Sequence, residues 1–360
     1  MDRVFLVLSF CVCFACSDVC IVSGAGIKDV KHFMVEEVYP SIFRMEIPIP
    51  RSPLKATNSY VIKGDGRTLL IDSGQNCPES LAAIRAGLAE LAVDLSQTDI
   101  FVTHMHADHS GLLPFLNQAG TRFFASAEDA EVINHMFTEV DPLESLRIAA
   151  CENGFTPEEA VAAIQRHPGN DVGSRAGLVF ETVVDGDVFS AGPFRFRCVA
   201  TPGHTQGHLC LYEADHKLLL SGDHILGDIS PNITYYWGER SPLHQFLASL
   251  RLVDELAVDR VLPGHRRIFD DCHGRIQELY AHHRLRLDEA YAIVKNAPMT
   301  GYQVASCMTW DMVYRTWDEV APVQKFFATG EALAHLRFLL AEGKVACERQ
   351  GNLYLYSQAV

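Results

Sequence analysis

Five histidines and two aspartates, each at the end of an apolar run, are the residues of this 360-residue chain best suited to chemistry. The densest group is His104-Met105-His106-Ala107-Asp108-His109. Imidazole is the commonest protein metal ligand and a general base near neutral pH. His104 and His106, two apart at a strand end, point to the same side and can reach one ion. Asp108 and His109 on the following turn then face a neighbouring ion. Three more motifs complete the set: His204 in ATPGHTQGH, Asp223 in LLLSGDH and His265 in VLPGH. Five His and two carboxylates make a ligand inventory for two borderline divalent ions. The expected division gives His104, His106 and His204 to the first ion and Asp108, His109 and His265 to the second. Asp223 would bridge them. Any one of these motifs alone would read as an ordinary loop; their agreement marks the site.

Strands must deliver these loops to one place. From Ile42 the runs IFRMEI, NSYVIKG and TLLIDSG alternate as strands, with a turn at Gly64-Asp65-Gly66. Residues Cys77 to Ala92 form a helix with Pro78 in its first turn. DIFVTHMHADHSG is a buried strand that ends in the His-rich loop, and HSGLLPFLNQAG and Ala127 to Gln165 read as helices. LVFETVV, FRFRCVATPG, HLCLYEA and KLLLSGD form a second strand block, followed by a helix from Pro242 to Ala257 and the strand RVLPGH. Two strand blocks, each with helices, predict an α+β domain of two packed sheets with helices outside. Beyond Cys272 the pattern predicts helices at 274–295, 300–309 and 331–342. A hairpin then turns at Gln350-Gly351-Asn352, so the end looks like a small winged-helix module. The expected division is 1–33, 34–272 with a helical insert at about 127–170, and 273–360. The insert reads either as a lid over a pocket or as packing.

With those motifs in order, the chain resembles the metallo-β-lactamase superfamily from about Ile42 to Cys272. H-x-H-x-D-H, T-P-G-H, G-D and P-G-H follow one another as in that family, preceded by L-I-D-S-G. The resemblance implies a four-layer αββα sandwich with the site at one edge, and places Asp72 outside the ligands as the residue that orients them. The details look like the glyoxalase-II-type hydrolases. True β-lactamases lack the His after Asp in the first motif, and many have Cys where this chain has Asp223. Flavodiiron proteins usually have Glu at the position of His106. Antibiotic hydrolysis and dioxygen reduction are therefore disfavoured.

The expected activity is hydrolysis. A hydroxide bridging two ions about 3.5–4 Å apart would attack a small acyl substrate such as a thioester, ester or lactone. Asp108 would take up a proton as well as ligate. Zinc is the default metal, with iron and manganese as alternatives. His208 is expected to support the ligands. Asn232, Tyr235 and Tyr236, after the bridging Asp223, are candidate substrate contacts. The competing reading is a nuclease, because metallo-β-lactamase-like ribonucleases also end in a winged helix. Charge argues against it. Lys+Arg 30 against Asp+Glu 45 gives a net charge of -15. Acidic and basic residues cancel over 1–33 and over 273–360, so the excess sits on 34–272. Such a domain repels polyanions. The stretch EALAHLRFLLAEGK is mostly apolar with few cations, suited to packing on the catalytic domain or on a second copy of the chain. The run VFLVLSFCVCFA is too short to span a bilayer and reads as an export signal or an extension ahead of Met34. The seven Cys beyond it show no disulfide or zinc spacing, which points to the cytoplasm.

Overall fold

The computed structural model describes residues 35–50, 52–138, 143–168, 177–235, 241–311 and 314–359. The first sheet runs in sequence order: β1 (Val35–Tyr39), β2 (Ile42–Pro48), β3 (Ala56–Ile62), β4 (Thr68–Ile71), β5 (Thr98–Phe101), β6 (Arg122–Ala125) and β7 (Phe180–Thr182). Pairing is antiparallel through β4 and parallel from β4 to β7. The second sheet holds β8 (Val188–Ala191), β9 (Phe194–Ala200), β10 (Leu209–Glu213), β11 (Leu218–Gly222) and β12 (Arg260–Pro263), ordered β12-β11-β10-β9-β8. Only β11 and β12 run parallel there.

Strand alternation decides the layering. Tyr60, Ile62, Leu69, Ile71 and Phe101 of the first sheet meet Phe196, Leu209, Leu211, Leu218 and Leu220 of the second in one buried cluster. The intervening Val61, Leu70 and Ile100 face outward against Ala83, Ile84 and Leu88 of α1 (Pro78–Glu90). On the other side Val199, Cys210 and Leu219 face Leu243, Phe246 and Leu250 of α7 (Pro242–Asp254). Both faces of each sheet are apolar, so each is covered twice and four layers result. This is the αββα sandwich.

Between β5 and β6 lie the short α2 (Ala107–Ser110) and α3 (Leu113–Leu116). The insert forms α4 (Ala127–Thr138), α5 (Glu144–Glu152) and α6 (Pro157–Gln165). Thr156 caps α6 by accepting from the Glu159 N–H. The C-terminal part contains α8 (Cys272–Val294), α9 (Gly301–Cys307), α10 (Pro322–Ala341) and the hairpin β13 (Val345–Gln350) and β14 (Leu353–Gln358). Asp271 caps α8, and Thr300 with Gln303 forms a capping box on α9.

One expectation needs correction. The last helix starts at Pro322, nine residues before the predicted 331, because Gly330 does not interrupt it. Gly330 sits where α10 approaches the loop after Asp223, and a Cβ there would stand 3.4 Å or less from three atoms of Thr234. Residues of α8, α9 and α10 join the apolar cluster of the second sheet, so the C-terminal part and the sandwich share one core. The apolar face of α10 is thus covered within the chain. Through Phe326 it also packs on Phe155, Ala160 and Ala163 of the insert. None of the helices among the described residues is long and apolar enough to cross a membrane.

Candidate metal centre

Strand direction brings the motifs together. β4, β5, β9, β11 and β12 all end at one edge, and Asp72, His104, His204, Asp223 and His265 follow those ends. Crossings between the sheets fix the edge. The Tyr60 hydroxyl donates to Pro263 O at 2.9 Å, and Asn58 Nδ2 donates to Pro263 O and Arg266 O. The Pro-Gly-His turn needs glycine for space: a Cβ on Gly264 would lie 2.5 Å from Asp223 Oδ1 and 2.9 Å from His109 Cε1.

All seven sequence-predicted ligands meet there. His104, His106 and His204 form one group, Asp108, His109 and His265 a second, and His104, His109 and Asp223 a third; within each the ligand atoms lie within 4.8 Å of one another. His104 Nε2 is 3.1 Å from His106 Nδ1, and His109 Nε2 is 3.2 Å from His265 Nε2. Asp108 Oδ2 lies 3.2 Å from His265 Nε2. Asp223 reaches both groups, with Oδ1 3.6 Å from His109 Nε2 and Oδ2 3.6 Å from His204 Nε2. Ligands held at about 2.1 Å around a tetrahedral ion stand about 3.4 Å apart, so this spacing fits metal ions.

The outer hydrogen bonds fix which ring nitrogen faces inward. His204 Nδ1 donates to Asn232 O at 2.8 Å and His265 Nδ1 to Ala56 O at 2.7 Å. His109 Nδ1 donates to Asp72 Oδ2 at 2.7 Å. The Thr103 hydroxyl donates to Asp72 Oδ2 and is 3.0 Å from His104 Nδ1, from which it accepts. Each Nε2 is thereby turned toward the centre. His204 Nε2 and Asp223 Oδ1 are buried with no hydrogen-bond partner, which fits a cation as their partner. Asp72 holds this network at φ 59, a conformation uncommon for a residue with a Cβ.

The electrostatics favour positive charge. Burial pushes His109 down, but Asp72, Asp223 and Asp108 outweigh it and hold it well above the usual range. Burial opposes His265 likewise, yet Asp223 and Asp108 raise it to about 10. Burial and the neighbouring imidazoles keep His104 well below its usual value, and burial with His204 lowers His106 to about 3. Asp108 and Asp223 stay ionised against burial because His109 and His265 stand beside them.

His208 supports Asp223 from behind: its Nε2 accepts from the Asp223 N–H at 3.1 Å, and its Nδ1 meets Thr201 Oγ1 at 2.8 Å. Asn232 lines a cavity of about 390 Å³ that opens on the centre. Tyr235 does not line it; its ring packs under the Arg337 guanidinium at 5.0 Å, and its N–H donates to Gly330 O. Tyr236 lies outside the described residues.

Two supporting residues carried no motif. Asp129 on α4 is 2% exposed and fastens two ligand loops together. Its Oδ2 accepts from the Met105 N–H at 2.9 Å and the Thr205 hydroxyl at 2.7 Å, and its Oδ1 from the Gly207 N–H at 3.0 Å. Burial raises it to about 6 against those bonds. In sequence it reads as one of two acids in the first turn of a helix. Glu331 on α10 accepts from Asn232 Nδ2 at 3.1 Å, and Asn232 O holds His204. Arg286 of α8 stands 3.7 Å behind Glu331. The C-terminal helices thus reach the candidate ligand His204 through a single asparagine.

The model of the metallo-beta-lactamase superfamily matches residues 53–265. The chain belongs to that superfamily. Within it, the chain is 26% identical over 314 residues to a probable metallo-hydrolase, YqjP, of Bacillus subtilis (strain 168), covering 81% of this chain and 90% of that one. It is 25% identical over 227 residues to an atrochrysone carboxyl ACP thioesterase of Aspergillus fumigatus, covering 63% of this chain and 41% of that protein. The crystal structure of a metallo-beta-lactamase family protein from Thermus thermophilus, TTHA1429, superposes with a TM-score of 0.74 at 28% identity, covering 89% of this chain and all of that one. The protein is accordingly a metallo-beta-lactamase superfamily hydrolase with a His/Asp cluster able to hold metal ions.

Proposed function

We propose that this superfamily member hydrolyses a small acyl substrate, an ester, thioester or lactone, at a dinuclear metal centre. The observation that carries the reading is the pair of three-ligand groups with Asp223 between them, at the head of a cavity. His104, His106 and His204 would hold one ion and Asp108, His109 and His265 the other, with Asp223 shared. Zinc is the first candidate for such a donor set, with iron and manganese next. When bound, two such ions supply a nucleophilic hydroxide at neutral pH and polarise the substrate carbonyl.

The protein's own groups then orient and exchange protons. Asn232 O, Ala56 O and Asp72 hold the ligand rings in the tautomer that presents Nε2. Asp108 is the one carboxylate of the centre with a side chain as much as 21% exposed, and it adjoins the cavity. From there it accepts the proton released on attack and returns one to the leaving group. Asp72 and His208 keep the ligand loops in register. The thioesterase name of the Aspergillus fumigatus relative supports acyl chemistry. Residues 273–360, read as a winged-helix-like module, bury their apolar surface in the shared core, which supports packing over nucleic-acid binding. The seven described cysteines are all free, which supports a reducing compartment.

The test pairs elemental analysis with acyl-glutathione, acyl-CoA, lactone and single-stranded RNA substrates. His106→Ala and Asp223→Ala are each expected to lose metal and turnover together while far-UV circular dichroism is retained. Full turnover by either variant refutes the site.

A further inference from the structure

We propose that the cavity beside the metal centre is an acyl pocket and that the substrate is an ester or thioester of a bulky, uncharged, apolar acid. This rests on the hydrolase reading and narrows its substrate class. The cavity volume of about 390 Å³ lies in the range, about 300–1,000 Å³, that encloses ligands much larger than acetate. Its two ends differ in chemistry. At one end stand His106, Asp108, His204 and Asp223; the walls beyond them are mostly apolar, interrupted by polar groups such as Gln75, His135, Ser145 and His167.

Those walls come from separate segments. The α4 helix contributes Val132, Ile133 and Met136, α5 contributes Leu146, and the loop after Asp223 contributes Leu226 and Ile229. Ile133, Leu226 and Ile229 are almost wholly buried, so their positions are set by packing. Among the described lining residues the carboxylates are Asp108 and Asp223, both at the metal end, and there is no Lys or Arg. An acyl group bearing carboxylates or phosphates would meet no Lys or Arg along the described walls. An alkyl or aryl acyl group would displace water from apolar wall and seat its carbonyl at the polar end. Hydrolysis then forms a bond from water oxygen to the carbonyl carbon and breaks the carbon–oxygen or carbon–sulfur bond. The products are the apolar acid and the alcohol or thiol, with water supplying both protons.

The experiment uses the full chain loaded with zinc and a series with one leaving group: acetyl, butyryl and octanoyl thioesters of N-acetylcysteamine. Each buried methylene contributes about four-fold, converted from about 0.8 kcal/mol, so kcat/KM should rise at least about 50-fold from acetyl to octanoyl. Val132→Trp, which fills the cavity from a half-exposed position, should cut octanoyl turnover about ten-fold or more and shrink the octanoyl-to-acetyl ratio. Equal kcat/KM along the series, or a preference for single-stranded RNA, overturns the pocket. If the metal-loaded chain hydrolyses none of the three, the hydrolase reading itself fails. Calorimetry of octanoate against acetate then still decides the pocket, because octanoate binding no tighter than acetate overturns it.

Discussion

Replacing Asp129 by Asn tests whether the ligand loops are held from outside the metal centre. The carboxylate accepts three hydrogen bonds, two on Oδ2 from Met105 N–H and Thr205 and one on Oδ1 from Gly207 N–H. An Asn fills the same space but offers one oxygen. If that oxygen faces Met105 and Thr205, the amide NH₂ confronts the Gly207 N–H; if it flips, the NH₂ confronts the Met105 N–H. Either way one buried N–H is left facing another donor, at a cost of about 1–3 kcal/mol, and the surviving bonds lose charge assistance worth about 1 kcal/mol. The sum is about 3 kcal/mol of stability. Urea unfolding at pH 7.5, with and without zinc, measures it from the midpoint at constant slope. The zinc-dependent gain should also shrink, since Met105 separates His104 from His106 and Thr205 follows His204. A loss below about 1 kcal/mol, with zinc binding unchanged, would refute the staple.

Other outcomes follow from the same geometry. Glu331→Ala, more than a hundred residues from most of the ligands in sequence, should weaken zinc or cobalt binding about 10–100-fold by freeing Asn232 and hence His204, and Glu331→Gln should restore most of it. Competition with a chelator measures this; wild-type affinity in the alanine variant would exclude the connection. Burial, aided by Arg286 and Arg275, lowers His282 to about 4, so the native state binds its proton less tightly than the unfolded chain. The stability it contributes is complete above pH 6.5 and lost as pH falls toward 4, amounting to about 3 kcal/mol. His282→Gln should therefore flatten the unfolding free energy against pH between 6.5 and 4 by up to about 1.4 kcal/mol per pH unit. An unchanged slope counts against it.

Much of the centre is legible in the linear sequence because its determinants are local. A metal ligand needs a donor side chain on a turn just past a strand, and H-x-H-x-D-H, P-G-H and G-D state both the donor and the turn. Strand alternation is equally local. In LLLSG the middle leucine faces α7 and its neighbours face the other sheet, and that two-sided pattern is what a four-layer sandwich requires. Glycine within a helix signals a break by propensity, yet Gly330 lies inside α10, where it permits a close approach to Thr234 in the folded chain.

Tertiary structure alone decided the rest, because it depends on which distant segments touch. Nothing near Asp129 marks it as the acceptor for donors 24, 76 and 78 residues away. Glu331 reaches His204 through Asn232 only because α10 packs across the loop after β11. That packing also turns Tyr235 toward Arg337 and away from the cavity, although its phenol had suggested a substrate contact. The cavity is mostly apolar because α4, α5 and the loop after Asp223 converge beside the candidate ligands. Ligand chemistry is written in short motifs, whereas the support of those ligands and the room left for a substrate arise from long-range packing.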